Sequence, residues 1–222
     1  MEAVSKRINA YMAMRLGMSR ELIDELRPRY WRQYGTTMRG LLVEHGIDPD
    51  DYLHYVHDFA VAELIACNEE LSHALAGLAW RKVVFTNSSR IHCGRALAAL
   101  GIEHHFERVI DIKETGYIGK PDERAYSYVL SVLEARPEEC VLIDDSAANL
   151  RTARGLGMTT VLVGQENNAD CADFLIRRIE DIGEVASRLT QAAKRGEPRS
   201  RQDMGCGSVR ATESRPLKEE SE

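Results

Sequence analysis

The chain has 222 residues, 44% of them apolar, which is enough for one domain of ordinary size and a smaller appendage. Its formal net charge of −6 argues against binding of a nucleic acid polymer, because phosphate backbones are held mainly by clustered Lys and Arg. No window approaches the roughly 20 uninterrupted apolar residues of a membrane span, and the first residues lack the apolar stretch of a signal peptide, so we expect a cytoplasmic protein without a membrane partner.

The first 75 residues are predicted to form a small helical cap. Apolar residues recur at helical spacing from Ile8 to Leu16, and no strand pattern is evident in this part of the chain. Ser19 is a suitable N-cap for the helix that follows it. A break at residues 45–49 ends a later helix, and Asp48 or Asp50 can begin the next one. We therefore expect this part to be helical throughout.

Between residues 76 and 190, short apolar runs alternate with amphipathic helical stretches. The runs are Lys82–Thr86, Arg108–Ile112, Cys140–Ile143, Thr159–Val163 and a weaker one at Phe174–Ile179. Strands that are apolar on both faces and joined by helices indicate a parallel sheet covered on both sides. The predicted fold class is therefore α/β, with a doubly wound parallel sheet. Residues 191–222 are polar and of mixed charge, so we expect a disordered tail there.

Polar residues suited to phosphate chemistry follow three of these runs. They are Thr86 and Asn87 after the first run, Lys120 in a loop after the second, and Asp144 and Asp145 after the third. Each of these features also has an ordinary structural explanation. A Thr at a strand end is usually a helix cap, and a Lys-Pro pair is usually a solvated turn. Adjacent aspartates often cap the next helix. Because ligands bind outside the carboxyl ends of parallel strands, the three sets should converge on one edge of the sheet. A hydroxyl donor, an ammonium group and an acid pair able to bind Mg²⁺ together predict phosphoryl transfer.

Five sequence stretches carry a specific resemblance. FTNSS, GKPD and VLIDDSAANL are similar, in that order, to the second, third and fourth motifs of phosphatases of the haloacid dehalogenase superfamily. RYWRQYGTTMRGLL and HGIDPDDYLHYVHD resemble the helical cap of the pyrimidine 5′-nucleotidase-like branch of that superfamily. The resemblance implies a Mg²⁺-dependent hydrolase that acts on a small phosphorylated metabolite. A nucleoside monophosphate is the first expectation, and sugar phosphates remain open.

The resemblance also implies a role for each residue at the strand ends. Thr86 and Lys120 would be the catalytic residues, and Thr86, Asn87 and Lys120 would bind the phosphoryl group. Lys120 would also neutralise the attacking carboxylate. Asp144 and Asp145 would hold Mg²⁺.

The cap contains residues that could contact a leaving group. Those in the resembling stretch are Tyr34, Thr36, Thr37 and Arg39. However, Tyr30, Trp31 and Tyr34 follow helical spacing, which is more typical of packing residues. Contact with substrate and packing therefore both stay open for the aromatic residues of the cap.

One motif of the family is not found in the chain. Members begin with a buried strand that ends in Asp-x-Asp, whose first aspartate attacks phosphorus, and nothing before Arg81 fits this pattern. The early aspartates lie in helical or turn contexts; they are Asp24, Asp48, Asp50, Asp51 and Asp58. In the family this strand lies mid-sheet, between the strand that ends at Thr86 and the strand that ends at Asp144. We therefore expect a chain without its N-terminal strand, through a misplaced start or genuine loss, that hydrolyses phosphomonoesters hardly above background.

Two other functions fit part of the pattern. A response-regulator receiver also combines an acid pair, a Thr or Ser and a Lys, but there the acid pair comes first in the chain and the Lys last. The order here is Thr86, Lys120 and then the acid pair, which argues against a receiver. A catalytically inactive remnant that binds phosphate or metal fits the missing nucleophile and stays open. An Asp-x-Asp strand encoded upstream of Met1 would favour the enzyme.

Overall fold

The computed structural model describes residues 2–164 and 171–194. The helices and strands, in chain order, are α1 (Glu2–Leu16), α2 (Arg20–Tyr34), α3 (Thr37–His45), α4 (Pro49–His57), α5 (Glu69–Ala76), β1 (Val83–Phe85), α6 (Arg90–Leu100), β2 (Arg108–Ile110), α7 (Glu123–Leu133), β3 (Val141–Asp144), α8 (Ala147–Gly155), β4 (Thr159–Val163), β5 (Phe174–Ile176) and α9 (Ile182–Lys194). Helices alone precede β1, and strands alternate with helices after it. This order confirms the predicted α/β class.

Local capping chemistry sets the ends of the N-terminal helices. The Ser19 hydroxyl accepts a hydrogen bond from the Leu22 amide (3.3 Å) and so begins α2, as predicted. Asp48 begins α4 in the same way, by accepting from the Asp50 amide (2.9 Å). Gly35 ends α2 with a φ of 79°, a left-handed conformation that favours glycine. Residues close together in sequence therefore determine where the cap chain turns.

The four N-terminal helices share one apolar cluster. Its buried members are Tyr11, Met12, Met18, Ile23, Leu26, Tyr30, Met38, Leu41, Ile47, Tyr52, Leu53 and Val56, together with Ile112 from the loop after β2. α5 lies at the end of the range predicted as cap, but its Leu71 and Leu75 pack in a second cluster with residues of the strands. The division of the chain at residue 75 stays a prediction.

The strands form two separate parallel sheets. β1 pairs with β2, while β4 lies between β3 and β5. All five strands overlap the predicted runs. Among the described residues β1 pairs only with β2, and β3 pairs only with β4, so each of these two strands has one edge without a described strand partner.

Helices cover both faces of the larger sheet. Val161 packs in a cluster with α5, α6 and α9, whereas the next residue, Leu162, packs in a cluster with α7 and α8. Successive residues of a strand point to opposite faces, so one strand contributes to two apolar cores. This arrangement agrees with the doubly wound architecture predicted from the sequence.

The chain after β5 continues into an amphipathic helix. α9 packs through Ile182 and Val185 and extends to Lys194, whereas residues 195–222 of the predicted tail lie outside the described residues. None of the described helices has both the length and the apolar character that crossing a bilayer requires.

Candidate active site

Thr86 stands directly after β1, at the carboxyl end of the smaller sheet. Its amide continues the pairing with β2 by donating to the Ile110 carbonyl (3.0 Å). Its hydroxyl oxygen accepts from the Ser88 amide (3.0 Å), which turns the chain toward α6. The Ser89 hydroxyl then caps α6 by accepting from the His92 amide (3.4 Å). The hydroxyl proton of Thr86 therefore remains available to a ligand at this edge.

Asn87 holds the loop that carries Lys120. Its side-chain nitrogen donates to the Lys120 carbonyl (2.8 Å), and its side-chain oxygen accepts from the Lys120 amide (2.8 Å). A Cβ atom on Gly119 would lie 2.7 Å from that oxygen, so the close approach requires glycine. The Asn87 clamp, meaning these two hydrogen bonds, joins segments 33 residues apart in sequence.

Lys120 and Asp144 form a buried ion pair. The Lys120 Nζ lies 2.6 Å from Asp144 Oδ2, and the two side chains are only 10% and 6% exposed. The ring of Phe85 lies 4.9 Å from the same nitrogen. The other oxygen of Asp144 accepts from the Ser146 amide (2.8 Å) and the Asn149 side chain (2.9 Å). These partners compensate both charges, which would otherwise be costly to bury.

Asp145 differs from its neighbour Asp144 in being exposed and in having no hydrogen bond or ion pair within the described residues. Carboxylate oxygens are suitable ligands for Mg²⁺, which prefers six oxygens in octahedral geometry. The described residues contain no group of three or more His, Cys, Asp or Glu side chains placed to hold a metal ion. Two carboxylates of the right chemistry are thus present, one of them engaged with Lys120, and further oxygens would have to come from water or another group.

The early aspartates have structural partners or lie on the surface. Asp48 caps α4, and Asp51 accepts from the Tyr11 hydroxyl (3.1 Å). Asp50 accepts from Lys113 Nζ and from the Tyr117 hydroxyl, both at 2.8 Å, and these bonds hold the pKa of Asp50 below its usual range. No strand is present in residues 2–82 that could place one of them at a sheet edge.

Asp111 is a buried acid that the sequence did not single out. It directly follows β2 and accepts from the amides of Arg90 (2.8 Å), Lys113 (3.2 Å) and Glu114 (3.1 Å). The bond to Arg90 joins the loop after β2 to the start of α6. Its position at the end of an apolar run was the available signal, but the run was predicted to continue to Ile112. Asp111 therefore supports the loop that follows Thr86.

The cap lies against the Lys120 loop. A Cβ atom on Gly35 would lie 2.9 Å from Pro121 Cδ and 3.3 Å from the Lys120 carbonyl oxygen. Of the cap aromatics, Tyr30 is fully buried, as expected of a packing residue, whereas Trp31 is 56% exposed. Gly35 thus places the turn between α2 and α3 against the Lys120 loop.

A second junction joins cap and core through His57. The His57 Nδ1 lies 3.0 Å from the Ser89 hydroxyl, and its ring stacks on His92 with centroids 4.2 Å apart. Burial and, to a smaller extent, the charge of His92 lower the pKa of His57 to about 4. The end of α4 thus contacts the N-terminal cap of α6 through a neutral histidine.

Comparison with known proteins gives sequence relatives that are each matched over part of their length. Bifunctional epoxide hydrolase 2 of Rattus norvegicus is 42% identical over 62 residues, which is 28% of this chain and 11% of that protein. β-Phosphoglucomutase of Bacillus subtilis (strain 168) is 30% identical over 101 residues, 46% of this chain and 44% of that protein. Proteins named as phosphatases are also among the relatives. The chain spans less than half the length of the first two relatives.

The fold and the family are both recognised. CbbY from Rhodobacter sphaeroides, solved in complex with phosphate, superposes with a TM-score of 0.59 at 21% identity, over 82% of this chain and 89% of that one. A likeness at this identity concerns the fold alone. The family described as haloacid dehalogenase-like hydrolase matches residues 5–157, well over half of the sequence. The chain therefore belongs to the haloacid dehalogenase-like hydrolases.

Proposed function

We propose that the chain provides the phosphate- and metal-binding half of a phosphatase that acts on a small phosphomonoester. The observation that carries this proposal is the buried contact between Lys120 and Asp144 beside the Asn87 clamp. An ammonium group held at the carboxyl end of parallel strands is suited to binding a phosphoryl group. The family match and the phosphatase relatives support hydrolysis as the reaction class.

Lys120 and Thr86 would bind the non-bridging oxygens of the phosphoryl group. The Lys120 ammonium carries three protons and uses one on Asp144, so the others are available for charge-assisted bonds. The Thr86 hydroxyl accepts from the Ser88 amide and can donate its own proton. Asn87 would act indirectly, since both of its bonds go to the backbone of Lys120.

Mg²⁺ would be bound mainly through Asp145. Its carboxylate has no described partner, whereas Asp144 is bound to Lys120, Ser146 and Asn149. The ion would supply positive charge to the phosphoryl oxygens. Participation of Asp144 as a second ligand stays a prediction.

Turnover needs an attacking carboxylate, and we propose that it stands on a strand between β1 and β3. Its oxygen would bond to phosphorus as the bond from phosphorus to the leaving oxygen breaks, and the leaving oxygen would take a proton. Water would then hydrolyse the acyl phosphate, releasing phosphate and restoring the carboxylate. This position is supported by one edge each of β1 and β3, with which no strand of the described residues pairs. The rival proposal is a protein that binds phosphate and metal without turnover.

Activity with and without an added strand tests the proposal. The chain would be assayed on nucleoside monophosphates, sugar phosphates and an aryl phosphate, with Mg²⁺ and with chelator. We expect activity near background for the 222-residue chain and chelator-sensitive turnover once an N-terminal apolar strand ending in Asp-x-Asp is fused to it. The same fusion with Asn in place of the first Asp is the matched control and should stay inactive. If both fusions are inactive yet inorganic phosphate binds and the Lys120→Met variant loses that binding, the rival proposal is favoured.

Activity of the chain without the added strand would mean that the nucleophile lies within the 222 residues. Robust chelator-sensitive turnover by the chain alone, lost in Asp48→Asn or Asp58→Asn, would place the attacking carboxylate in the cap. The structural role of Asp48 as the cap of α4 argues against this outcome.

A further inference from the structure

The turn between α2 and α3 is held in a fixed position above the Lys120 loop. A Cβ atom on Gly40 would lie 2.3 Å from the ring of Tyr30, so α2 and α3 approach closely at this point. The hydroxyls of Tyr30 and Tyr34 both donate to Glu44 at 3.0 Å and tie the end of α2 to the end of α3. A turn that is already ordered at the site can select among substrates, because the ligand loses little binding free energy in ordering the cap.

Arg39 is a half-buried cation on the first turn of α3, close to this contact. Its backbone amide donates to the Thr36 hydroxyl (3.1 Å), but its guanidinium forms no hydrogen bond or ion pair with any described residue. Two arginines of α2, by contrast, have partners: Arg27 binds Ser5 and Asn9, and Arg29 binds Glu44. The guanidinium of Arg39 thus has no hydrogen-bonded or ion-paired partner among the described residues.

The charge of Arg39 reaches the loop that carries Lys120. The pKa of Asp122 is lowered chiefly by its hydrogen bond with Arg124, and the charge of Arg39 lowers it further. Asp122 lies two residues after Lys120, and Gly35 in the turn before α3 contacts Pro121. Lys120 therefore lies on the core side of the contact between cap and core, and Arg39 lies on the cap side.

We propose that Arg39 binds a second anionic group on the leaving-group side of the substrate, while Lys120 binds the transferring phosphoryl group. This inference rests on the proposed function and narrows its substrate class. A guanidinium offers a planar fork of donors that matches a phosphate or a carboxylate. Phosphomonoesters with such a second group should therefore bind more tightly than nucleoside monophosphates, which have a single anionic group.

Binding measurements on variants of Arg39 test the inference without requiring turnover. Calorimetry would compare inorganic phosphate, fructose 6-phosphate, uridine monophosphate, fructose 1,6-bisphosphate and phosphoglycolate. Arg39→Gln should weaken the bisphosphate or phosphoglycolate by about tenfold or more, and leave inorganic phosphate and fructose 6-phosphate within about twofold. A response of the bisphosphate alone identifies a second phosphate, and a response of phosphoglycolate alone identifies a carboxylate.

Two further variants separate charge at this position from general electrostatics. Arg39→Lys keeps the charge without the fork and should retain part of the selectivity. Arg32→Gln removes an exposed cap arginine that also has no described partner, and it should change none of the affinities. The melting temperature of Arg39→Gln should stay close to that of the wild type, because the guanidinium forms no hydrogen bond or ion pair with a described residue.

The inference and the proposed function fail in different ways. Equal affinities of wild type and Arg39→Gln for all five ligands, or an equal loss for inorganic phosphate, would overturn the role of Arg39 alone, provided that phosphate binding still depends on Lys120. If inorganic phosphate does not bind the wild type, or binds Lys120→Met equally well, the proposed function fails and the inference fails with it.

Discussion

The ammonium of Lys120 lies 2.6 Å from a carboxylate oxygen of Asp144, and neither side chain is more than 10% exposed. A buried pair of this kind contributes little over an apolar pair, but removal of one partner leaves an uncompensated charge. The contact therefore makes the candidate site part of the stability of the core. It also fixes the ammonium at the edge where the phosphoryl group is proposed to bind.

Lys120→Met should destabilise the chain by about 3–5 kcal/mol, because it leaves Asp144 buried and unpaired. Adding Asp144→Asn removes the charge while keeping an oxygen for Ser146 and Asn149, so the double variant should be more stable than Lys120→Met alone. Urea unfolding measures both. Lys6→Met, which alters an exposed ion pair with Glu2, is the control and should change stability by less than about 0.5 kcal/mol. Additive effects of the two site substitutions would show that the pair is not coupled.

Gly119→Ala should destabilise the chain through the Asn87 clamp. The added Cβ would lie 2.7 Å from Asn87 Oδ1, so the clamp must open or shift and lose bonds worth about 1 kcal/mol each. In an Asn87→Ala background the same substitution should cost less, since the clashing atom is gone. Equal costs in the two backgrounds, measured by denaturant unfolding, would assign the effect to the other close neighbour, Ile112, at 3.0 Å.

The buried His57 predicts loss of stability in acid. Its pKa is about 4 in the folded chain against 6.5 in the unfolded one, so below pH 6.5 the unfolded state binds a proton that the folded state does not. The contribution of His57 to the free energy of unfolding is fully present above pH 6.5, where the ring is neutral in both states. It should fall by about 1 kcal/mol per pH unit from about pH 6 toward pH 4. The stability difference between wild type and His57→Gln should therefore shrink between pH 7 and pH 5. His54→Gln, on the exposed side of α4, should show a nearly constant difference.

Features set by neighbouring residues could be predicted from the sequence. Ser19 and Asp48 begin helices as expected, because an N-cap depends on side-chain chemistry within three residues. The strand runs were recognised from their apolar, β-branched character. β1 covers only Val83–Phe85 of its predicted run, although Lys82 and Thr86 on either side still form backbone hydrogen bonds with Glu107 and Ile110.

Features that join distant segments could not be predicted in detail. The sequence indicated that Lys120 and the acid pair should meet, but not that Asp144 would take the ammonium and leave Asp145 exposed. The Asn87 clamp depends on the approach of two loops, and the bonds of Asp111 depend on how β2 packs beside α6. The sequence also did not indicate that Arg27 and Arg29 would bind acceptors in the described residues while the Arg39 guanidinium would form no hydrogen bond with them. Such contacts are decided by tertiary packing rather than by local pattern.

The last prediction separates the two aspartates of the acid pair. Asp145→Asn should leave stability within about 0.5 kcal/mol, because the side chain is exposed and has no described partner, but it should abolish Mg²⁺ binding. Asp144→Asn should lower stability, because Lys120 loses its counter-ion, and should weaken Mg²⁺ binding less than Asp145→Asn does. Binding by the wild type should itself be weak, since two carboxylates provide few of the six oxygens that the ion prefers. Calorimetric titration with Mg²⁺ and urea unfolding of the same three proteins measure both effects. Tight Mg²⁺ binding that survives Asp145→Asn would place the metal site elsewhere in the chain.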